Sequence, residues 1–144
     1  MSRQVGVLLF DGFELLDVFG PVELWSRLSD RYEVTFCAVE PGPVRSSQGA
    51  AVMATEDMDA SAGHDIVLIP GGMGTRSLVD DRSFLTRLRG WATPASIISS
   101  VCTGSALLAA AGLLEGYRAT SNKMAYAWAS SHGRDVRWEP RARW

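Results

Sequence analysis

Cysteine is scarce in this chain. Its 144 residues hold two, Cys37 and Cys102. Two cysteines make no disulfide framework, and with only His64 and His132 to join them no group has the spacing of a zinc site. The expectation is therefore a protein without metal or cofactor, in a reducing, cytoplasmic setting. An excess of one charge is also lacking: 14 Lys and Arg against 16 Asp and Glu leave a net charge of −2, which gives no electrostatic case for nucleic acid. No apolar run approaches the roughly 20 residues of a membrane span. Met1-Ser2-Arg3-Gln4 leads straight into a strand-like run, without the pattern of a signal peptide.

What is present is ordinary globular material: 47% apolar and 21% charged residues, enough for one domain with a real core over residues 1–144. Val5 to Phe10 (VGVLLF) and Asp65 to Pro70 (DIVLIP) are short runs, apolar on both faces, as parallel strands covered on two sides require. Tyr32 to Val39 is a further strand, with Cys37 in it as a core residue. Val44–Ser47 and Ala51–Met53 read as a hairpin across Gln48-Gly49. Thr55 to Gly63 reads as a surface loop or helical turn. Helical stretches fall between: Glu14 to Leu28, with a break or fresh start expected at Pro21; Ser77 to Trp91; Ala106 to Leu114; and Met124 to Ser131. Arg118–Ser121 and Val136–Trp138 read as short late strands. Alternation of strands and helices argues a doubly wound, mostly parallel α/β sheet, in which ligands bind beyond the carboxyl ends of the strands.

Three features fall at such ends. Ile97-Ile98-Ser99-Ser100-Val101-Cys102-Thr103-Gly104-Ser105 reads as strand, sharp turn and helix. Its Ser100-x-Cys102-x-Gly104 spacing is that of a nucleophile elbow with cysteine in place of serine. Unpaired N–H groups and the dipole of the following helix would favour a reactive thiolate. The alternative is that Cys102 is a small buried residue at a strand end. Asp17, set among Leu15, Leu16, Val18 and Phe19, is a carboxylate in apolar company. The Gly71-Gly72-Met73-Gly74 turn could present backbone N–H groups to a ligand or oxyanion, or be simply a tight turn. It fits neither a dinucleotide nor a phosphate-loop motif. His64 and His132 read as solvated surface residues.

Four stretches together carry a resemblance: Leu15-Leu16-Asp17-Val18-Phe19-Gly20-Pro21, Ile69 to Gly74, Ser100 to Ser105, and Ala110 to Thr120. They are similar to the ThiJ/PfpI (DJ-1) superfamily, and most to its isonitrile hydratase-like branch and to the amidotransferase-like domains of some transcription regulators. The resemblance implies a flavodoxin-like three-layer sandwich of the class I glutamine amidotransferase type, with Cys102 as nucleophile and Asp17 as the acid that hydrogen-bonds it. It implies a hydro-lyase converting an isonitrile to an N-substituted formamide, with Asp17 as acid and base, Thr103 binding substrate or water, and Gly71, Gly72, Gly74 and Thr103 lining the substrate and oxyanion site. A small-molecule substrate and a homodimer are the expected partners, with no nucleic acid and no membrane.

The chain departs from the branch in three ways. Thr103 stands where protease-like members carry histidine, which disfavours an amidase or peptidase. Ser121-Asn122-Lys123 stands where an aromatic and a histidine are usual. The chain ends at Trp144, where relatives continue into a strand pair and a long helix, so the resemblance implies a C-terminally shortened domain or one whose open face a partner covers. A redox- or ligand-sensing domain without turnover is the other reading.

Overall fold

The computed structural model describes residues 1–60 and 63–144. Five strands make one parallel sheet in the order β5-β2-β1-β6-β7: β1 (Arg3–Leu8), β2 (Tyr32–Ala38), β5 (Glu56–Asp57), β6 (Ile66–Ile69) and β7 (Ile97–Ser100). Every pair in it is parallel, with Val5 beside both Val34 and Ile66, Cys37 beside Glu56, and Ile69 beside Ser100. β3 (Gly42–Arg45) and β4 (Ala51–Ala54) form the expected antiparallel hairpin. β8 (Arg118–Ala119) and β9 (Arg137–Trp138) pair in parallel as a separate two-stranded sheet.

The apolar runs explain the sheet. Val5, Val7, Leu8, Val67 and Ile69 are buried, consistent with strands covered on both faces. The helices α1 (Leu15–Ser26), α2 (Thr75–Leu78), α3 (Arg82–Ala92), α4 (Gly104–Ala110) and α5 (Tyr126–Ala129) fill the connections. α3 shows the local logic most clearly. Asp81 caps it by accepting the Phe84 N–H at 3.0 Å, and Phe84, Leu88 and Trp91 then recur at helical spacing and are all buried.

The structure differs from the sequence expectation in several places. α1 runs unbroken through Pro21. The ring removes one helical hydrogen bond, but the residue before it is Gly20, which has no Cβ to clash with the proline ring. α4 spans seven residues and ends at Ala110, short of Leu114. The stretch from Thr55 contains β5, a two-residue strand that pairs with β2 and that a polar, acidic sequence hides; Ser61 and Ala62 of that stretch lie outside the described residues. β7 ends the sheet as its edge strand, with Ile97 exposed.

Gly6 of β1 lies under two rings: a Cβ there would come within 2.7 Å of the His64 ring and 2.8 Å of Trp91. Gly90, inside α3, has open space where its Cβ would be. The two alanine substitutions should therefore have opposite signs. Gly6→Ala should destabilise the protein by about 1–3 kcal/mol through overpacking. Gly90→Ala should stabilise it by about 0.5–1 kcal/mol through helix propensity. Urea unfolding midpoints at unchanged m value check both.

Candidate active site

The order of the parallel strands reverses between β1 and β6, and this switch point is where a doubly wound sheet opens a crevice. The loop after β1 brings Asp17, at the start of α1. The loop after β6 brings Gly71 to Gly74, and the neighbouring β7 delivers Cys102. The sequence-predicted residues therefore converge on one end of the sheet.

The elbow is sharp. Val101 N–H bonds the Ile69 carbonyl at 3.0 Å, continuing the β6–β7 ladder, and Gly104 N–H then turns back onto the Val101 carbonyl at 3.0 Å. Between them Cys102 has φ of 57°, the one non-glycine residue with positive φ among those described. A side chain in the left-handed region costs about 1–2 kcal/mol, and such strain concentrates at sites that use it. Glycines make the turn fit. A Cβ on Gly104 would sit 2.2 Å from the Ile69 carbonyl oxygen, and one on Gly71 would sit 2.6 Å from Thr103 N and 2.8 Å from Cys102 Cβ.

Cys102 is half-buried and reduced. Its sulfur has two polar neighbours. Asn122 Nδ2 donates to Sγ at 3.1 Å, and the Asp17 carboxyl group lies near enough for the thiol to act on its proton affinity. The Asn122 side chain is itself fixed, because its Oδ1 accepts the Met124 and Ala125 N–H groups at 2.9 and 3.2 Å. Ser121 Oγ and Ser105 Oγ both donate to the Cys102 carbonyl at 3.2 Å.

Asp17 Oδ2 accepts the Gly71 N–H at 2.9 Å. Burial pushes its carboxyl above the ordinary value of 3.8; the Gly71 N–H opposes this, the Glu14 charge adds to it, and the Cys102 thiol again opposes it. The thiol acts against burial, because a proton donor beside the carboxyl group favours the carboxylate.

The glycine turn is tied up internally. Gly72 N–H donates to Thr103 Oγ1 at 3.1 Å, Gly74 N–H to the Gly12 carbonyl at 3.1 Å, and Gly71 N–H to Asp17. These three groups, expected to face a ligand, instead hold the loops together. Thr103 is buried, and its hydroxyl, also bonded to Thr75 Oγ1 at 3.2 Å, belongs to the same network. With α4 only two turns long, the helix dipole expected to favour a thiolate is small, and the Asn122 amide is the donor that reaches the sulfur.

A cleft of about 770 Å³ reaches Cys102 from the side of β7, between Val101, Ser121, Asn122, Lys123 and Arg118. Asp17 does not line it. Sequence reasoning noted Asn122 only as a departure from a familiar pattern. The available signal was position: like Cys102, it follows directly on a short strand. The two histidines are elsewhere. His132 is half-buried with its ring against Trp128 at 4.9 Å between centroids. His64 is buried, only 8% exposed, rather than solvated as the sequence suggested.

A parallel α/β sheet with cysteine on a strained elbow and a carboxyl group beside it defines a class of thiol-centred sites. The chain belongs to the DJ-1/PfpI family, which it matches over residues 3–135. It is 38% identical over 122 residues to the isonitrile hydratase of Pseudomonas putida, covering 85% of this chain and 53% of that protein. It is 39% identical over 123 residues to an uncharacterized protein in the cpoL 5′ region of Streptomyces lividans, covering 83% of this chain and 87% of the relative. Among solved structures, a ThiJ/PfpI family protein from Pseudomonas syringae superposes with a TM-score of 0.77 at 31% identity, over 84% of this chain and 50% of that one. The chain thus spans about half the length of the isonitrile hydratase and of the Pseudomonas syringae protein. Among the described residues, no helix is long and apolar enough to cross a membrane.

The raised Asp17 has a stability consequence. A carboxyl group that holds its proton more tightly in the folded state stabilises the fold fully below its ordinary value, and that contribution is lost as pH rises through the folded value. Asp17→Asn cannot ionise but keeps an acceptor for the Gly71 N–H. The stability of Asp17→Asn relative to the native protein should therefore climb as pH rises from about 4 and then level off. Urea midpoints of the two proteins between about pH 3 and pH 7 test this; a difference that is flat or falls with pH contradicts it.

Proposed function

We propose that the chain carries the chemistry of an isonitrile hydratase: water is added to a small isonitrile through a covalent intermediate on Cys102, with Asp17 moving the protons. The observation that carries this reading is the pairing at the sulfur. Cys102 Sγ accepts the Asn122 amide, and its thiol acts on the carboxyl group of nearby Asp17, which the Gly71 N–H holds in place. An isonitrile needs just such a pair, a nucleophile and an acid acting on one carbon.

In the first step the Cys102 thiol proton passes to Asp17, and protonated Asp17 then gives it to the terminal isonitrile carbon while the Cys102 thiolate bonds to that carbon. This leaves a thioimidate, R–N=CH–S–Cys, and an Asp17 carboxylate. Water then adds to the same carbon; Asp17 takes a proton from it and returns one to nitrogen. The adduct R–NH–CH(OH)–S–Cys collapses, the C–S bond breaks, and the hydroxyl proton goes to Asp17. The products are R–NH–CHO, a Cys102 thiolate and a protonated Asp17, as just before attack. One carboxyl group serves as acid and base, and burial raises its pKa in the sense that acid work near neutrality requires. Asn122 steadies the sulfur charge before attack and after departure. Thr103 keeps the elbow seated against Gly72 and is a positioning residue in this scheme. The relative named as an isonitrile hydratase supports the reading. An amidase or peptidase of this family would be expected to carry a histidine base beside the nucleophile, and here Thr103 holds that position while the donor at the sulfur is the Asn122 amide.

The test is turnover of a small alkyl isonitrile, followed through the formyl proton of the product by NMR. Cys102→Ser should lower the rate by at least about 10³-fold, and Asp17→Asn by at least about 100-fold. No formamide from the native chain, or undiminished formation by Cys102→Ser, contradicts the proposal.

A further inference from the structure

The second cysteine also has company. Cys37 of β2, Glu56 of β5 and His64, which precedes β6, come from three separate parts of the sequence, and three of their atoms form a closed triangle. Cys37 Sγ lies 3.8 Å from His64 Nε2 and 3.8 Å from Glu56 Oε2, and His64 Nε2 lies 3.3 Å from the same Glu56 Oε2. The fold fixes all three corners. Cys37 and Glu56 are register partners on adjacent parallel strands, so their side chains leave the sheet on one face. The His64 ring lies against Trp91, 5.8 Å between centroids, and over Gly6, whose missing Cβ is the space the ring occupies.

These spacings can be set against those of a metal centre. Bonds of about 2.3 Å to sulfur and about 2.0–2.2 Å to imidazole nitrogen and carboxylate oxygen, at tetrahedral angles, separate sulfur from either light atom by about 3.5–3.7 Å and nitrogen from oxygen by about 3.3–3.5 Å. The observed triangle fits within about 0.3 Å on every side. The donor set is one sulfur, one imidazole and one carboxylate, which suits zinc and its neighbours and not the oxygen-seeking Mg²⁺ or Ca²⁺. Access is one-sided: the Cys37 and His64 side chains are buried, while that of Glu56 is 39% exposed. A fourth position on the Glu56 side would therefore belong to solvent. Arg87 of α3, which reaches β5, is taken up by Asp57 at 3.5 Å and Asp59 at 2.9 Å.

We propose that Cys37 Sγ, Glu56 Oε2 and His64 Nε2 bind one divalent cation of the zinc class, with water completing a tetrahedron. Binding forms metal bonds to sulfur, nitrogen and oxygen and releases the Cys37 thiol proton to solvent. The site is separate from Cys102 and clamps β2, β5 and the entrance to β6 together. The competing arrangement is a metal-free hydrogen-bonded cluster in which Glu56 accepts from both partners.

The test titrates the full chain carrying Cys102→Ser with Co²⁺, so that Cys37 is its remaining thiol. The expected result is one Co²⁺ per chain, with tetrahedral d–d bands and a thiolate-to-cobalt charge-transfer band, both bleached by one equivalent of Zn²⁺. Glu56→Gln, at a partly exposed position where the fold should survive, should weaken binding by at least about tenfold. Circular dichroism checks the fold of each variant. Three results overturn the proposal: no stoichiometric Co²⁺ binding, equal affinity in Glu56→Gln, or a charge-transfer band present in Cys37→Ala with Cys102 intact and missing in Cys102→Ser.

Discussion

The bond from the Gly71 N–H to the Asp17 carboxylate ties the loop after β1 to the loop after β6, across the point where the strand order reverses. The rest of the site depends on it. It fixes the carboxyl group that faces Cys102, and it requires Gly71 itself, since any side chain there would strike the Cys102 and Thr103 backbone region. One residue position thus serves two purposes: its N–H orients the acid, and its missing Cβ admits the nucleophile's turn. The elbow strain at Cys102 is sustained because the turn is anchored at both ends, by the β6–β7 ladder before it and by the buried α4 after it.

Electrostatically the site is a compromise. Burial and Glu14 push the Asp17 proton on, while the Gly71 N–H and the Cys102 thiol pull it off. A group held between such opposing influences can lose and regain a proton during a reaction, which a deeply stabilised carboxylate cannot.

Much of this was legible in the sequence, for physical reasons. Apolar runs of strand length, the small residues around Cys102 and the carboxylate after β1 each state a local requirement, and together they give the parallel sheet and the family. What sequence could not show is what depends on partners far along the chain. Asn122 reaches Cys102 only because the segment after β8 returns across the cleft to the elbow. β5 is two polar residues that become a strand by pairing with β2. His64 looks like a surface residue until Gly6, Glu56 and Cys37 gather around it. The glycine turn could be read from sequence either as a donor nest or as a tight turn; close packing of three loops turns its N–H groups onto Asp17, Thr103 and Gly12.

The account stands or falls on whether Asp17 and Cys102 form one coupled site. The direct measurement is the rate of Cys102 alkylation against pH, in native protein and in Asp17→Asn, both with Cys37 replaced. The account predicts that the two profiles differ, the native one carrying an inflection from Asp17 that the variant lacks. Profiles that superimpose across the whole range would contradict it, because two groups sharing a proton site cannot titrate in ignorance of each other.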